Sequence, residues 1–115
     1  MTRGTHLLIV EDEVVLRRCL AAYFEAQGLR VSQAGSITEA AELLDRSEFD
    51  AAVLDVGLPD GDGLSLLERT NADRSLVITA NPDPSRFERC GVQHHLQKPV
   101  DLRALSDAVA QITHR

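Results

Sequence analysis

Apolar residues along the chain follow two alternating rhythms. Short runs at 6–10 (HLLIV), 51–54 (AAVL), 76–79 (LVIT) and 94–96 (HHL), with a half-apolar run at 30–34 (RVSQA), have the length and residue types of strands. Between them the apolar positions fall three or four apart, the spacing that gives a helix one buried face. Leu16, Cys19, Leu20, Tyr23 and Phe24 place such a face on a helix over 13–27, stopped by Gly28. Ser36-Ile37-Thr38-Glu39 has the pattern of a capping box, opening a second helix that turns Ile37, Ala40, Ala41 and Leu44 inward. Residues 57–63, rich in glycine and aspartate around Pro59, read as a loop, and 64–70 as a third helix. A fourth helix is expected over 85–90. A fifth starts from the N-cap Asp101 after Pro99 and buries Leu102, Leu105, Val109 and Ile112.

Five strands alternating with five helices predict an α/β fold with a doubly wound five-stranded parallel sheet, because right-handed βαβ crossovers cover both faces. The third strand is apolar throughout, as a strand covered on both sides should be. With no internal repeat, low-complexity stretch or linker, residues 1–115 are expected to form a single domain.

Composition narrows the function classes. Hydrophobic residues at 43% and charged residues at 26% suit a folded globular chain. The formal net charge of −6 disfavours direct binding to nucleic acid or to an anionic membrane surface. No run approaches the ~20 apolar residues of a membrane span, and no signal peptide is evident, so a cytoplasmic protein is expected. Cys19 and Cys90 fit no metal spacing and are expected to be reduced core thiols, Cys19 as a small filler in the first helical stripe. His6 and His114 have no partner at ligand spacing.

The chemistry gathers at strand ends. The first strand runs into Glu11, Asp12 and Glu13, the third into Asp55, the fourth ends at Thr79, and the fifth is followed by Lys98 and Pro99. In a parallel sheet these ends share one edge, where ligands bind. Three carboxylates crowded there repel one another unless a cation bridges them. Magnesium, which takes oxygen ligands and usually one or two carboxylates, suits Glu11 and Asp12. Asp55 is then a candidate nucleophile, since a carboxylate can accept a phosphoryl group as an acyl phosphate. Lys98 supplies a compact positive charge, Thr79 a hydroxyl, and Ala80 leaves room beside it. Glu13 is expected to do no more than favour the dipole of the first helix.

With these residues placed, the sequence resembles the receiver domain of two-component response regulators over essentially its whole length. The resemblance rests on the acidic cluster after the first strand, LDVGLPDGDG after the third, ITA after the fourth and Lys-Pro after the fifth. It implies a flavodoxin-like strand order of 2-1-3-4-5 and a phosphoacceptor role for Asp55. It also implies Mg2+ held by Asp12 directly, by Glu11 through water, by the Asp55 carboxylate and by the Gly57 carbonyl. Thr79 and Lys98 would meet the phosphoryl oxygens, with a cis Lys98–Pro99 peptide turning the lysine head into the pocket. The implied partners are a sensor histidine kinase or phosphotransfer protein, and a downstream effector or an output domain outside this chain. No helix-turn-helix follows the fifth helix, so any DNA role would lie elsewhere.

Two departures stand out. Between Thr79 and Gly91 the chain has about one helical turn less than typical receivers, with Pro82 and Pro84 in that segment, so a shortened or irregular fourth helix is expected. His95 occupies the position where the family usually has Tyr or Phe, whose ring moves inward when the hydroxyl engages the phosphoryl group. A reduced output face makes a monomer or weak dimer the expected state. It also leaves an alternative, a pseudo-receiver that binds a partner without phosphorylation. A small haloacid-dehalogenase-like phosphatase would want an acid two residues after the nucleophile, where this chain has Gly57. Such a domain is expected to catalyse only its own phosphorylation and dephosphorylation, and is not an enzyme in the usual sense.

Overall fold

The computed structural model describes residues 4–114. Five strands, β1 (His6–Val10), β2 (Arg30–Ala34), β3 (Ala51–Asp55), β4 (Ser75–Thr79) and β5 (His94–Gln97), form one parallel sheet in the order β2-β1-β3-β4-β5. Every neighbouring pair in that sheet is parallel. This is the doubly wound arrangement expected from the alternation of strands and helices.

Helices cover both faces. On one, α1 (Val14–Ala26) and α5 (Leu102–Thr113) pack Leu20, Phe24, Leu105, Val109 and Ile112 against Leu7, Ile9, Val53, Leu76 and Ile78 of the sheet. On the other, α2 (Ile37–Arg46), α3 (Leu67–Thr70) and α4 (Pro84–Cys90) bring Ala40, Leu67 and Phe87 against Leu8, Val10, Ala52, Leu54 and Val77. Leu7, Leu8, Ile9, Leu54 and Ile78 are entirely shielded from water. Each such side chain contributes about 2 kcal/mol from burial alone.

The capping signals act where expected, with one change of partner. Ser36 Oγ accepts the Glu39 N–H at 3.1 Å, while the Glu39 carboxylate reaches one residue further back than a capping box requires, to the Gly35 N–H. Asp101 caps α5 by accepting the Arg103 N–H at 2.9 Å. Pro84 occupies the first turn of α4, where its missing N–H costs nothing, and Asp83 caps that helix. The fourth helix is seven residues long, shortened as the sequence indicates.

Four details differ from the sequence reading. Cys19 and Cys90 are free and exposed, so they are not core thiols. Cys19 lies about 100° of helix rotation from Leu20, which carries it off the buried stripe. Leu102 is 39% exposed, because it is the first residue of α5 and lies beyond the end of β5. In α2, Leu43 packs on the core beside Ile37 and Leu44, and Ala41 is only half-buried. The third helix is a 3-10 turn over Gly63–Leu66 followed by a single α turn, and the loop before it holds a two-residue antiparallel pair, Gly57–Leu58 with Gly61–Asp62.

Candidate functional site

The carboxyl edge of the sheet collects the acidic residues from two adjacent strands. Glu11 follows β1, Asp55 ends β3, and these two strands are paired directly. Carboxylate oxygens of Glu11, Asp12 and Asp55 lie within 4.8 Å of one another. Glu11 is fully buried, Asp55 is 4% exposed, and Asp12 faces solvent. One ligand position is therefore open to water and two are set into the fold.

Lys98 reaches into this group from the turn after β5. Its Nζ lies 2.8 Å from Glu11 Oε1 and 3.3 Å from Asp55 Oδ2, while its backbone N–H donates to the Thr79 carbonyl. The Lys98–Pro99 peptide is cis. Glu11 Oε2 accepts the Glu13 N–H at 3.0 Å, whereas Oε1 has only the ion pair with Lys98 and no aligned hydrogen bond among the described residues. Asp55 Oδ1 accepts the Gly57 N–H at 3.2 Å. Thr79, buried at the end of β4, accepts the Asn81 N–H on its hydroxyl at 3.1 Å. That hydroxyl is committed to a local turn and is free to exchange partners by rotation about one bond.

The charges do not balance. Burial and the Glu11 carboxylate beside it push the Asp55 pKa from 3.8 up to about 6, against the opposing pull of Lys98. Burial works against the charge of Lys98, but its contacts with Glu11 and Asp55 outweigh this and hold its pKa above the usual lysine value. Two buried carboxylates thus share one ammonium, with a third acid at the rim. An under-ligated Glu11 oxygen and a carboxyl held partly protonated are what a divalent cation would relieve, so the donor set fits magnesium. Glu11, Asp12 and Asp55 would hold it, with the Gly57 carbonyl in the same turn as Asp55.

The backbone around Asp55 is closely fitted. A Cβ on Gly63 would stand 1.9 Å from the Asp55 carbonyl oxygen, and the Gly63 N–H donates to the Val56 carbonyl at 2.8 Å. No side chain fits there. The same loop is tied at both flanks. Asp60 accepts the Ile37 and Thr38 N–H groups at the start of α2, at 2.9 and 3.0 Å, and Asp62 pairs with Arg86 of α4.

The sequence model of the response regulator receiver domain matches residues 7–110. The chain belongs to this family. Among curated relatives it is 34% identical over 119 residues to the TorCAD operon transcriptional regulatory protein TorR of Escherichia coli, an alignment covering 96% of this chain and 50% of TorR. The chain thus spans about half the length of that relative. Among solved structures, the non-phosphorylated HemR receiver domain from Leptospira biflexa superposes with a TM-score of 0.85 at 30% identity, covering 96% of this chain and 95% of that one. A response regulator from Burkholderia pseudomallei, described with a phosphorylated aspartic acid, calcium ion and citrate, gives a TM-score of 0.81 at 26% identity, covering 91% and 66%.

Of the residues singled out in the sequence, this receiver domain brings Glu11, Asp12, Asp55 and Lys98 into one cluster, with Gly57 bonded to it and Thr79 at the neighbouring strand end. Glu13 stays outside, as the exposed N-cap of α1. His95 is exposed, and its ring lies against Phe87 of α4 with centroids 5.0 Å apart. The residues that hold the backbone of the site, Arg17, Asp60 and the Asp62–Arg86 pair, have no motif that reports them. Only the Pro-Asp-Gly-Asp-Gly spelling of the loop hints that two of its acids are occupied in turns and caps.

Proposed function

We propose that this receiver domain accepts a phosphoryl group on Asp55 from a phosphohistidine of a sensor histidine kinase or phosphotransfer protein, in a Mg2+-dependent reaction. The observation that carries the reading is Asp55 itself. It is a nearly buried carboxylate with a lysine 3.3 Å away and two further acids within ligand distance. In the transfer an Asp55 oxygen bonds to phosphorus as the bond to the histidine nitrogen breaks, and the ring, protonated on its other nitrogen beforehand, leaves as neutral imidazole. The metal, when bound, neutralises charge on the phosphoryl oxygens and on the three carboxylates.

Everything else falls to the chain. Asp55 must be ionised to attack, so a cation that lowers its raised pKa also arms it. Lys98 is a point charge on a flexible stem, and as Asp55 is consumed it can turn from the carboxylate to a phosphoryl oxygen. Rotation of Thr79 would trade the Asn81 N–H for the new group, and release of that N–H loosens the turn leading to Asp83, the cap of α4. The calcium ion and phosphorylated aspartate named for the Burkholderia regulator support the same assignment here. A cytoplasmic signalling domain that works through protein partners fits the net charge of −6, which disfavours direct contact with nucleic acid or an anionic membrane.

The test is incubation with a small phosphodonor and Mg2+, read by intact mass. One phosphoryl addition is expected, lost in Asp55→Asn and abolished by EDTA. Addition that survives either change would refute the assignment. No addition to the wild-type chain from a small donor or a phosphohistidine protein would leave a pseudo-receiver as the better description.

A further inference from the structure

Glu11 is held at its backbone as well as at its carboxylate. The β1–β2 ladder ends at the Val10–Ala34 pair, and the Glu11 N–H still donates to the Ala34 carbonyl at 2.9 Å. Its own carbonyl has turned out of the sheet. There Arg17, from the first turns of α1, donates Nη1 to the Glu11 carbonyl at 3.0 Å and Nε to Gln33 Oε1 at 3.3 Å. One guanidinium therefore ties the turn after β1, the end of β2 and α1 together.

Gly35 independently marks this arrangement. Its backbone is not in the left-handed region that requires glycine, yet a Cβ there would stand 2.9 Å from Arg17 Nη1 and 3.2 Å from Glu39 Oε1. The glycine makes room for the arginine.

We infer that Arg17, seated over Gly35, is a positioning residue for the cation site, orienting the Glu11–Asp12 peptide and through it the Asp12 carboxylate. The inference rests on the phosphoacceptor reading above. A peptide is planar, so fixing the Glu11 carbonyl also fixes the nitrogen and Cα of Asp12. Asp12 is the exposed acid of the three and, among the described residues, has no hydrogen bond of its own from the carboxylate. The place from which it reaches the site is therefore set by its backbone. Groups that hold the direct ligands of a metal typically matter about ten- to a hundredfold in affinity.

Charge and position make opposite predictions, which makes the idea testable. As a mere positive charge, Arg17 would oppose a cation, and removing it would tighten binding. As a positioning residue, it favours binding, and displacing it weakens binding even with the charge kept. The experiment is Mg2+ titration of the full chain by calorimetry, with the Asp12 and Gly57 amide shifts followed in parallel. Gly35→Ala keeps the net charge and pushes only the flexible ends of Arg17 and Glu39, so its unfolding midpoint should stay near that of the wild type. Its Mg2+ affinity should fall about tenfold. Arg17→Lys should weaken binding similarly, since a single ammonium does not reproduce the two-armed fork, and Arg17→Gln should weaken it despite the lost charge. Phosphoryl uptake from a small donor should recover near the wild-type rate at saturating Mg2+ in all three. Wild-type affinity in Gly35→Ala and Arg17→Lys, or tighter binding in Arg17→Gln, overturns the inference. If Gly35→Ala fails to fold, the two Arg17 variants decide it. Absence of Mg2+ binding in the wild type overturns the phosphoacceptor reading and this inference with it, whereas wild-type binding with unaffected variants overturns this one alone.

Discussion

Asp55→Asn should stabilise the metal-free domain at neutral pH, although it removes the proposed phosphoacceptor. The folded protein holds the Asp55 carboxyl at a pKa of about 6 rather than 3.8, chiefly through burial and through Glu11. A group whose folded pKa is raised favours folding fully below its unfolded pKa, and that contribution is lost as pH rises through the folded pKa. At about 1.4 kcal/mol per pH unit, the rise corresponds to a cost of about 3 kcal/mol above pH 6, an upper bound because the surroundings of Asp55 relax around its charge. Asparagine is nearly isosteric, retains an oxygen for the Gly57 N–H, and leaves Lys98 to Glu11. Urea unfolding of both proteins from pH 4 to 8 in EDTA provides the assay. The variant should gain about 1–3 kcal/mol at pH 7.5, and the gap should close towards pH 4. Magnesium at ten times its dissociation constant should then return about 1.4 kcal/mol to the wild type and less to the variant. A variant less stable than wild type at pH 7.5, or a gap that does not change with pH, would show that Asp55 is not electrostatically strained.

Further perturbations probe the same edge. Lys98→Ala removes the only charge partner of Glu11 Oε1 among the described residues, and should cost about 3 kcal/mol in urea unfolding, the lower end for a broken buried pair because the lysine is 20% exposed. The same variant should bind Mg2+ more tightly while taking up phosphate more slowly; a parallel loss of both would indicate a structural role only. Gly63→Ala forces a Cβ into the Asp55 carbonyl and should cost more than about 2 kcal/mol, whereas Gly57→Ala meets open space and should stay within about 0.5 kcal/mol, both read by thermal unfolding. His6 is buried, bonded to Ser32 Oγ at 2.8 Å, and burial followed by the nearby Arg30 lowers its pKa. Its contribution is present above about pH 6.5 and lost as pH falls through that lowered pKa, so His6→Phe should flatten the fall in stability between pH 7 and 5.

The five strands and the acid–lysine cluster were legible because both follow from where apolar runs stop, whereas the strand order was implied only by the family resemblance. A polar residue at the end of a doubly covered strand has only the carboxyl edge to occupy, so Glu11, Asp55, Thr79 and Lys98 declare themselves without any knowledge of side-chain packing. Periodicity failed at helix ends and stripe margins. Leu102 has the spacing of a core residue but lies past the last strand, and Cys19 lies one helical step outside the covered face. The 3-10 turn before α3 was not legible either, since Leu64, Leu66 and Leu67 are apolar at a spacing that either helix type would bury. Least legible were the residues that bind backbone rather than core. Arg17, Asp60 and Asp62 act through carbonyl, N–H or a single distant arginine, and such contacts leave no period in a sequence.

Those contacts explain how an edge so poor in stabilising interactions keeps its shape. The cluster gathers like charges, excludes side chains at Gly63 and leaves Glu11 short of donors, so the site itself contributes little to its own order. Its geometry is instead imposed from outside. Arg17 holds the turn after β1, Asp60 anchors the loop after β3 to α2, and the Asp62–Arg86 pair anchors it to α4. The loop after Asp55 therefore joins two helices on the same face of the sheet. The seven-residue α4 is attached by buried Phe87 in the core, by its Asp83 cap and by the Asp62–Arg86 pair.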